Sequence, residues 1–183
     1  MKIKKLTGFS ALDSRGRPTV AVQVQLDNDA IFTARTPSGA STGKHEAHEL
    51  RDGDGRGVEQ AVLNVNSKIA PALIGREVDP YTIDVVLSEL DPTENHSALG
   101  ANATLATSIA VAKAAGGDNL AHFFDSNENL LIPMPMVNIL SGGAHAAKTM
   151  DIQDVLVIPN GATSFKEAIA WVSQIREAAA KNG

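Results

Sequence analysis

Cysteine is absent from the 183-residue sequence, which excludes disulfides, thiolate zinc sites and a cysteine nucleophile. It leaves the redox compartment undetermined. No apolar stretch reaches the roughly 18 residues that a membrane span requires. The start, Met1-Lys2-Ile3-Lys4-Lys5, is positively charged but leads into no apolar run, so a secretory signal is not expected. Clusters of Lys and Arg are also missing, and the formal charge of -5 argues against a nucleic-acid partner. There is no internal repeat and no low-complexity segment. What remains is ordinary for a globular protein, 43% apolar and 20% charged residues, and a cytoplasmic metabolic protein fits that profile best. The length allows one domain with a real core and part of a second.

The first third reads as strands. Val20, Val22, Val24 and Leu26 alternate with Ala21, Gln23 and Gln25, the period of a half-buried strand. Asp27-Asn28-Asp29 is turn chemistry, Ala30 to Thr36 is the expected return, and Ile3 to Phe9 supplies a third strand. An antiparallel meander is the simplest arrangement. Helices follow. Val58, Val62, Val65 and Ile69 share one face, with a stop expected at Pro71. Asp79-Pro80 reads as an N-cap and first turn, with Ile83, Val86, Leu87 and Leu90 as the buried stripe. From Gly100 to Ala115 small residues dominate, with Leu105 and Ile109 as larger anchors and Gly116-Gly117 as the end. Strands then helices predict an α+β domain running to about Ser126.

The tail differs. Met134 to Leu140 is mostly apolar, and Val155-Leu156-Val157-Ile158 is a continuous apolar run, which predicts strands covered on both sides as in a barrel or parallel sheet. Ser164 with Glu167 forms a capping box, and Ala168, Ile169, Val172, Ile175 and Ala179 carry the helix onward. Two strands and one helix cannot close a barrel, which takes about eight strands.

Four segments carry candidate chemistry. Pro37-Ser38-Gly39-Ala40-Ser41-Thr42-Gly43 suits a loop that closes over a ligand and offers hydroxyl and backbone groups to a hard cation or phosphate. On composition alone a plain flexible turn is the simpler reading, and the lysine of a P-loop is missing. Glu49, Asp52 and Asp54 cluster around Gly53 and Gly55, but the twelve-residue calcium pattern is absent and a solvated turn is the better reading. Gly142-Gly143-Ala144-His145-Ala146 follows an apolar segment, where glycines let a backbone approach a ligand and His145 could bind an anion. A lone histidine is as a rule more often structural. Asp151 and Asp154 come next, and a carboxylate within an apolar strand is costly unless it has a polar task, which singles out Asp154. No nucleophile and base pair that would mark a small independent hydrolase is found.

Taken in order, these segments resemble the enolase family along the whole chain. Leu12-Asp13-Ser14-Arg15-Gly16 with Pro18-Thr19-Val20 is similar to its opening strand motif. Ser38-Gly39-Ala40-Ser41-Thr42-Gly43, then Glu46-Ala47 and Glu49-Leu50-Arg51-Asp52-Gly53-Asp54, resembles its catalytic loop and sequel. Leu99-Gly100-Ala101-Asn102-Ala103 resembles its small-residue helix. Pro133-Met134-Pro135 through Asn138-Ile139 and Gly142-Gly143-Ala144-His145-Ala146 resembles its first barrel segment.

The resemblance implies an α+β capping domain over 1–130 and the first elements of an enolase-type β/α barrel over 131–183. It implies the interconversion of 2-phosphoglycerate and phosphoenolpyruvate in glycolysis, with a lysine base and two Mg2+ ions that stabilise the enediolate. By the same resemblance Ser41 ligates the second magnesium as the loop closes, and Ala40 and Ser41 contact substrate. His145 lies beside the substrate, Gln153 is a substrate-site glutamine, and Asp154 takes the place of a glutamate acting near the departing hydroxyl. Asp154 is one methylene shorter than that glutamate, and Ser141 stands where asparagine is commoner. Phe9 and Ala21 replace an arginine and a glutamate of the family's dimer salt bridges, which leaves the family-type dimer in doubt. Gly183 precedes the remaining magnesium carboxylates, the base lysine and the phosphate-binding arginine of that pattern. The expectation is therefore the N-terminal part of an enolase, inactive by itself, with self-association or pairing with the missing barrel segment open to it. The alternative is a non-catalytic enolase-like binding or interaction protein.

Overall fold

The computed structural model describes residues 1–39, 42–125, 130–143 and 150–182. The chain divides into two compact units, Met1–Glu128 and Asn129–Gly183.

The first unit begins with the expected meander. Strands β1 (Ile3–Leu12), β2 (Pro18–Leu26) and β3 (Ile31–Arg35) form an antiparallel sheet in the order β1-β2-β3. Its inner face aligns Leu6 and Phe32 with Val24, and Gly8 and Ala34 with Val22. The β1–β2 turn closes on Asp13, whose Oδ1 accepts from the backbone N–H of Arg15 and of Arg17, both at 2.8 Å. Ala21, on the opposite face from Val20 and Val22, is also buried, which alternation alone does not predict. It sits on the central strand, in register with Phe9 on one side and Arg35 on the other.

The first helical stretch departs from expectation at Pro71. Helix α1 (Glu59–Asn64) passes through a π-helical turn (Val65–Ile69) into α2 (Ala70–Leu73), so the proline lies inside the helical run and not at its end. The N–H of Ala70 donates to Val65 O, five residues back, and Pro71 falls in the first turn of α2, where a proline is best tolerated. The π turn also aims Asn66 at the sheet edge, where its amide donates to Gly8 O at 2.9 Å and accepts from Gly8 N at 2.8 Å. A Cβ on Gly8 would lie 2.7 Å from Val65 Cβ, so only glycine lets strand and helix approach this closely.

Helix α3 (Pro80–Leu90) starts as expected, with Asp79 capping the N–H groups of Tyr81 and Thr82. Ile83, Val86 and Leu87 are buried. Helix α4 (Ala101–Gly116) packs against the sheet through Ala103, Ala106, Ala110, Val111 and Ala114. Leu105 is not an anchor: it is largely exposed, because the close approach of α4 to the sheet leaves room only for small side chains on the inner face. Helix α5 (Leu120–Phe124) follows a 3-10 turn. Ile3, Leu26, Ile69, Leu73, Ile83 and Leu99 are the large side chains that fill the core.

In the second unit β4 (Val137–Ser141) and β5 (Asp154–Val157) pair antiparallel, followed by α6 (Phe165–Asn182). In this two-stranded ladder Leu140, Val155 and Leu156 are exposed. Nothing among the described residues closes a barrel around this ladder. The α6 cap forms one residue early: Ser164 Oγ accepts from Glu167 N at 3.2 Å, but Glu167 reaches back to Thr163 N at 2.7 Å and to its hydroxyl. Ala168 and Val172 are its buried contacts, whereas Ile169 and Ile175 are exposed.

Candidate active-site segments

The loop singled out in the first unit is held at both ends. Thr36 fixes its entry, with its N–H on Val20 O at 3.0 Å and its hydroxyl on Asn102 O at 2.6 Å. Ser38 follows, and at the far end Glu46 Oε2 accepts from Gly43 N at 2.8 Å. Ala40 and Ser41 lie outside the described residues.

Arg51 organises the base of this loop. Its guanidinium donates to Pro18 O at 2.6 Å, Arg56 O at 3.1 Å, Ser38 Oγ at 3.4 Å and Glu49 Oε1 at 2.5 Å. Glu49 Oε2 in turn accepts from the Ser38 hydroxyl at 3.4 Å. These groups line a cleft of about 500 Å³ that also takes in Gly16, Arg17 and Gly39. Asn102, buried at the start of α4, pairs with both backbone groups of Leu50 and so fixes Glu49 and Arg51 on either side.

The acidic cluster is structural. Asp52 caps α1, accepting from Glu59 N at 2.9 Å and Gln60 N at 3.0 Å. Gly57 makes room for it, because a Cβ there would meet Asp52 Oδ2 at 2.1 Å. Asp54 folds back onto the N–H groups of Arg56 and Gly57, which hold its carboxyl below the usual aspartate value. Among the described residues no group of three or more His, Cys, Asp or Glu could hold a metal ion.

In the second unit, chemistry gathers where the β4–β5 ladder ends. Ser141 lies opposite Asp154 in the register, and Asn138 opposite Leu156. The Asn138 amide donates to Asp154 Oδ1 at 2.5 Å and to Ser141 Oγ at 2.6 Å. Beyond Ser141, Gly142 N donates to Gln153 O at 2.6 Å and Gly143 N to Met150 O at 3.0 Å. Gly142 is obligatory, since a Cβ would lie 2.1 Å from Ile152 O. Gly143 sits at φ 57, the left-handed region.

Asp154 and Gln153 are thus brought beside the Gly142–Gly143 turn, while His145 lies outside the described residues. Two participants escaped the reading of the sequence, Arg51 and Asn138. Asn138 carried the same signal as Asp154, a polar side chain within an apolar strand. Arg51 carried a weaker one, a cation wedged among acidic residues.

An α+β capping unit, whose loop root is built from Arg51, Glu49 and Ser38, precedes a second unit that presents Asp154 at a strand end; together they define a capping domain joined to the start of a barrel domain. Comparison with known proteins gives that class its name. Residues 3–125 match the family described as Enolase, N-terminal domain, and residues 129–181 match Enolase, C-terminal TIM barrel domain. The chain belongs to the enolase family. It is 49% identical over 172 residues to the protein named Enolase from Corynebacterium kroppenstedtii, an alignment covering 90% of this chain and 40% of that protein. The chain therefore spans about two-fifths of the length of the curated relative it matches. No helix among the described residues is long and apolar enough to cross a membrane.

Proposed function

We propose that this chain supplies the capping domain and the first barrel elements of a phosphopyruvate hydratase, which interconverts 2-phosphoglycerate and phosphoenolpyruvate with Mg2+ in cytoplasmic glycolysis. The observation that carries the reading is Asp154, an aspartate at the mouth of an apolar strand, oriented by Asn138 and flanked by Gln153 and a glycine turn. A carboxyl group in that setting suits donation of a proton to a departing hydroxyl, which then leaves as water. In this reading His145, Gln153, Ala40 and Ser41 contact the phosphorylated substrate. Ser41 adds one oxygen ligand to a magnesium ion. Dehydration removes a proton from C2 and hydroxide from C3, and Asp154 acts at the second of these bonds.

The chain alone is expected to be inactive, since no lysine in it matches the family's base motif. The test is formation of phosphoenolpyruvate, followed by its ultraviolet absorbance, with the purified chain alone and after adding the complementary part of the enolase barrel. No turnover alone and turnover after mixing, lost with D154A, support the proposal. Turnover by the chain alone, with contaminating enolase excluded, overturns the predicted inactivity. Failure of the reassembled pair to respond to D154A overturns the role of Asp154.

One observation favours a second reading, an enolase-like interaction protein without catalysis. The second unit exposes apolar residues in number, among them Leu131 at 88% and Ile132 at 71%. Such surfaces invite self-association or pairing with further barrel strands. A chain that sediments as a monomer in dilute solution and binds no apolar dye would remove this reading.

A further inference from the structure

We propose that Asn138 is the positioning residue of Asp154 and that it decides which carboxyl oxygen carries the proton. The inference rests on the acid–base reading of Asp154 given above and deepens it. Residues 154 and 156 share one face of β5, so Asn138, in register with Leu156, has Asp154 as its diagonal neighbour across the ladder. The irregularity of β4 between Asn138 and Leu140 places one extra residue on this strand and brings Ser141 directly opposite Asp154.

The hydrogen bonds then assign the roles. A carboxamide has two N–H donors and one oxygen acceptor. Asn138 uses its Nδ2 twice, on Ser141 Oγ at 2.6 Å and on Asp154 Oδ1 at 2.5 Å. Turning the amide over would set its carbonyl oxygen against the carboxylate, which is repulsive. The Ser141 hydroxyl, which can donate or accept, adapts to this orientation by accepting from the same nitrogen. Oδ1 is therefore committed as an acceptor, and a proton placed on it would meet an N–H donor head-on. Oδ2 has no hydrogen-bond partner among the described residues. Protonated Asp154 carries its proton on Oδ2, and proton transfer runs through that oxygen.

The test follows the Asn138 side-chain amide and the Asp154 carboxyl carbon by NMR in the isotopically labelled 183-residue chain across an acid titration. Both signals are expected to move with one midpoint, and the amide movement should exceed that of the exposed Asn160 side chain. D154N should abolish the amide movement, and D151N, which removes the neighbouring charge, should leave it. An Asn138 amide that stays still while Asp154 titrates overturns the proposal, as does a movement that vanishes with D151N and survives D154N. Both variants are near-isosteric, so neither depends on tolerating a cavity. Loss of the catalytic reading would show separately, as D154N turnover equal to wild type in the reassembled enzyme while the chain with Asp154 in place keeps its Asn138 response.

Discussion

Replacing Arg51 by alanine is expected to destabilise the first unit by about 2–3 kcal/mol. The magnitude comes from its partners. The carbonyls of Pro18 and Arg56 each lose a donor, at 2.6 and 3.1 Å, and each such loss costs about 1 kcal/mol. The ion pair with Glu49 is short at 2.5 Å, but the Glu49 side chain is 34% exposed against 18% for Arg51, so solvent screens it. That pair is assigned about 0.5–1 kcal/mol. The contact with Ser38 at 3.4 Å is long and is assigned nothing. Thermal unfolding followed by far-ultraviolet circular dichroism should show a fall of roughly 10 °C for a unit of this size. R51K should recover only part of the loss, because an ammonium cannot reach carbonyls on both sides as the guanidinium fork does. E49Q should cost less than 1 kcal/mol, roughly the screened pair alone. An R51A protein as stable as wild type, or one no less stable than E49Q, would refute the view that the two carbonyl bonds dominate.

Three further outcomes are expected. Gly142→Ala should open the end of the β4–β5 ladder, since its Cβ would meet Ile152 O at 2.1 Å; faster hydrogen exchange at Gly142 with unchanged exchange in β2 is the readout. Asn66→Ala should lose both bonds to Gly8 and destabilise the first unit by roughly 1–2 kcal/mol, measured by urea unfolding. Asp91 is buried; desolvation raises its pKa, but the Thr93 hydroxyl and the N–H groups of Leu99 and Thr93 outweigh this and hold it below its ordinary 3.8. A carboxyl with a lowered folded pKa contributes stability that is present above the unfolded value and lost as pH falls through the folded one. Stability should therefore fall with acid below about pH 4, and D91N should flatten that fall while lowering stability at neutral pH.

Much of the capping unit is legible because each of its elements meets its partners within the unit. The alternation of Val20, Val22, Val24 and Leu26 and the Asp79-Pro80 start report a local period and a local cap, and both meet matching surroundings. Pro71 misleads because the rule that proline ends a helix holds for a helix interior, whereas Pro71 falls in the first turn of α2. Leu105 misleads because size does not imply burial where the spacing of α4 from the sheet admits only small residues inward. At the candidate site, Asp154 is conspicuous as a charge in an apolar run. Asn138 shows the same kind of signal, but its partner emerges only once the register sets it diagonal to Asp154, since no spacing within one strand encodes a partner on another.

The second unit is the case in which pattern and surroundings disagree, and the disagreement is informative. Val155 to Ile158 has the continuous apolar character of a strand shielded on both faces, yet Leu156 and Ile158 remain about half exposed, at 48% and 49%. Each large apolar side chain moved from such exposure to full burial would gain on the order of 1 kcal/mol. Leu131, Ile132, Leu140, Leu156 and Ile158 together thus leave several kcal/mol available to a covering layer. Two edges of a two-stranded ladder offer that layer unpaired backbone groups as well. Asp154 sits on the same short ladder, so whatever covers its apolar faces also fixes the strand that aims this carboxylate. Covering the unit should therefore both raise its stability and slow exchange at Gly142 N, whose acceptor is the carbonyl of Gln153 beside Asp154. If a covering partner stabilises the unit but leaves Gly142 exchange unchanged, packing and the orientation of the site are independent, and that link is wrong.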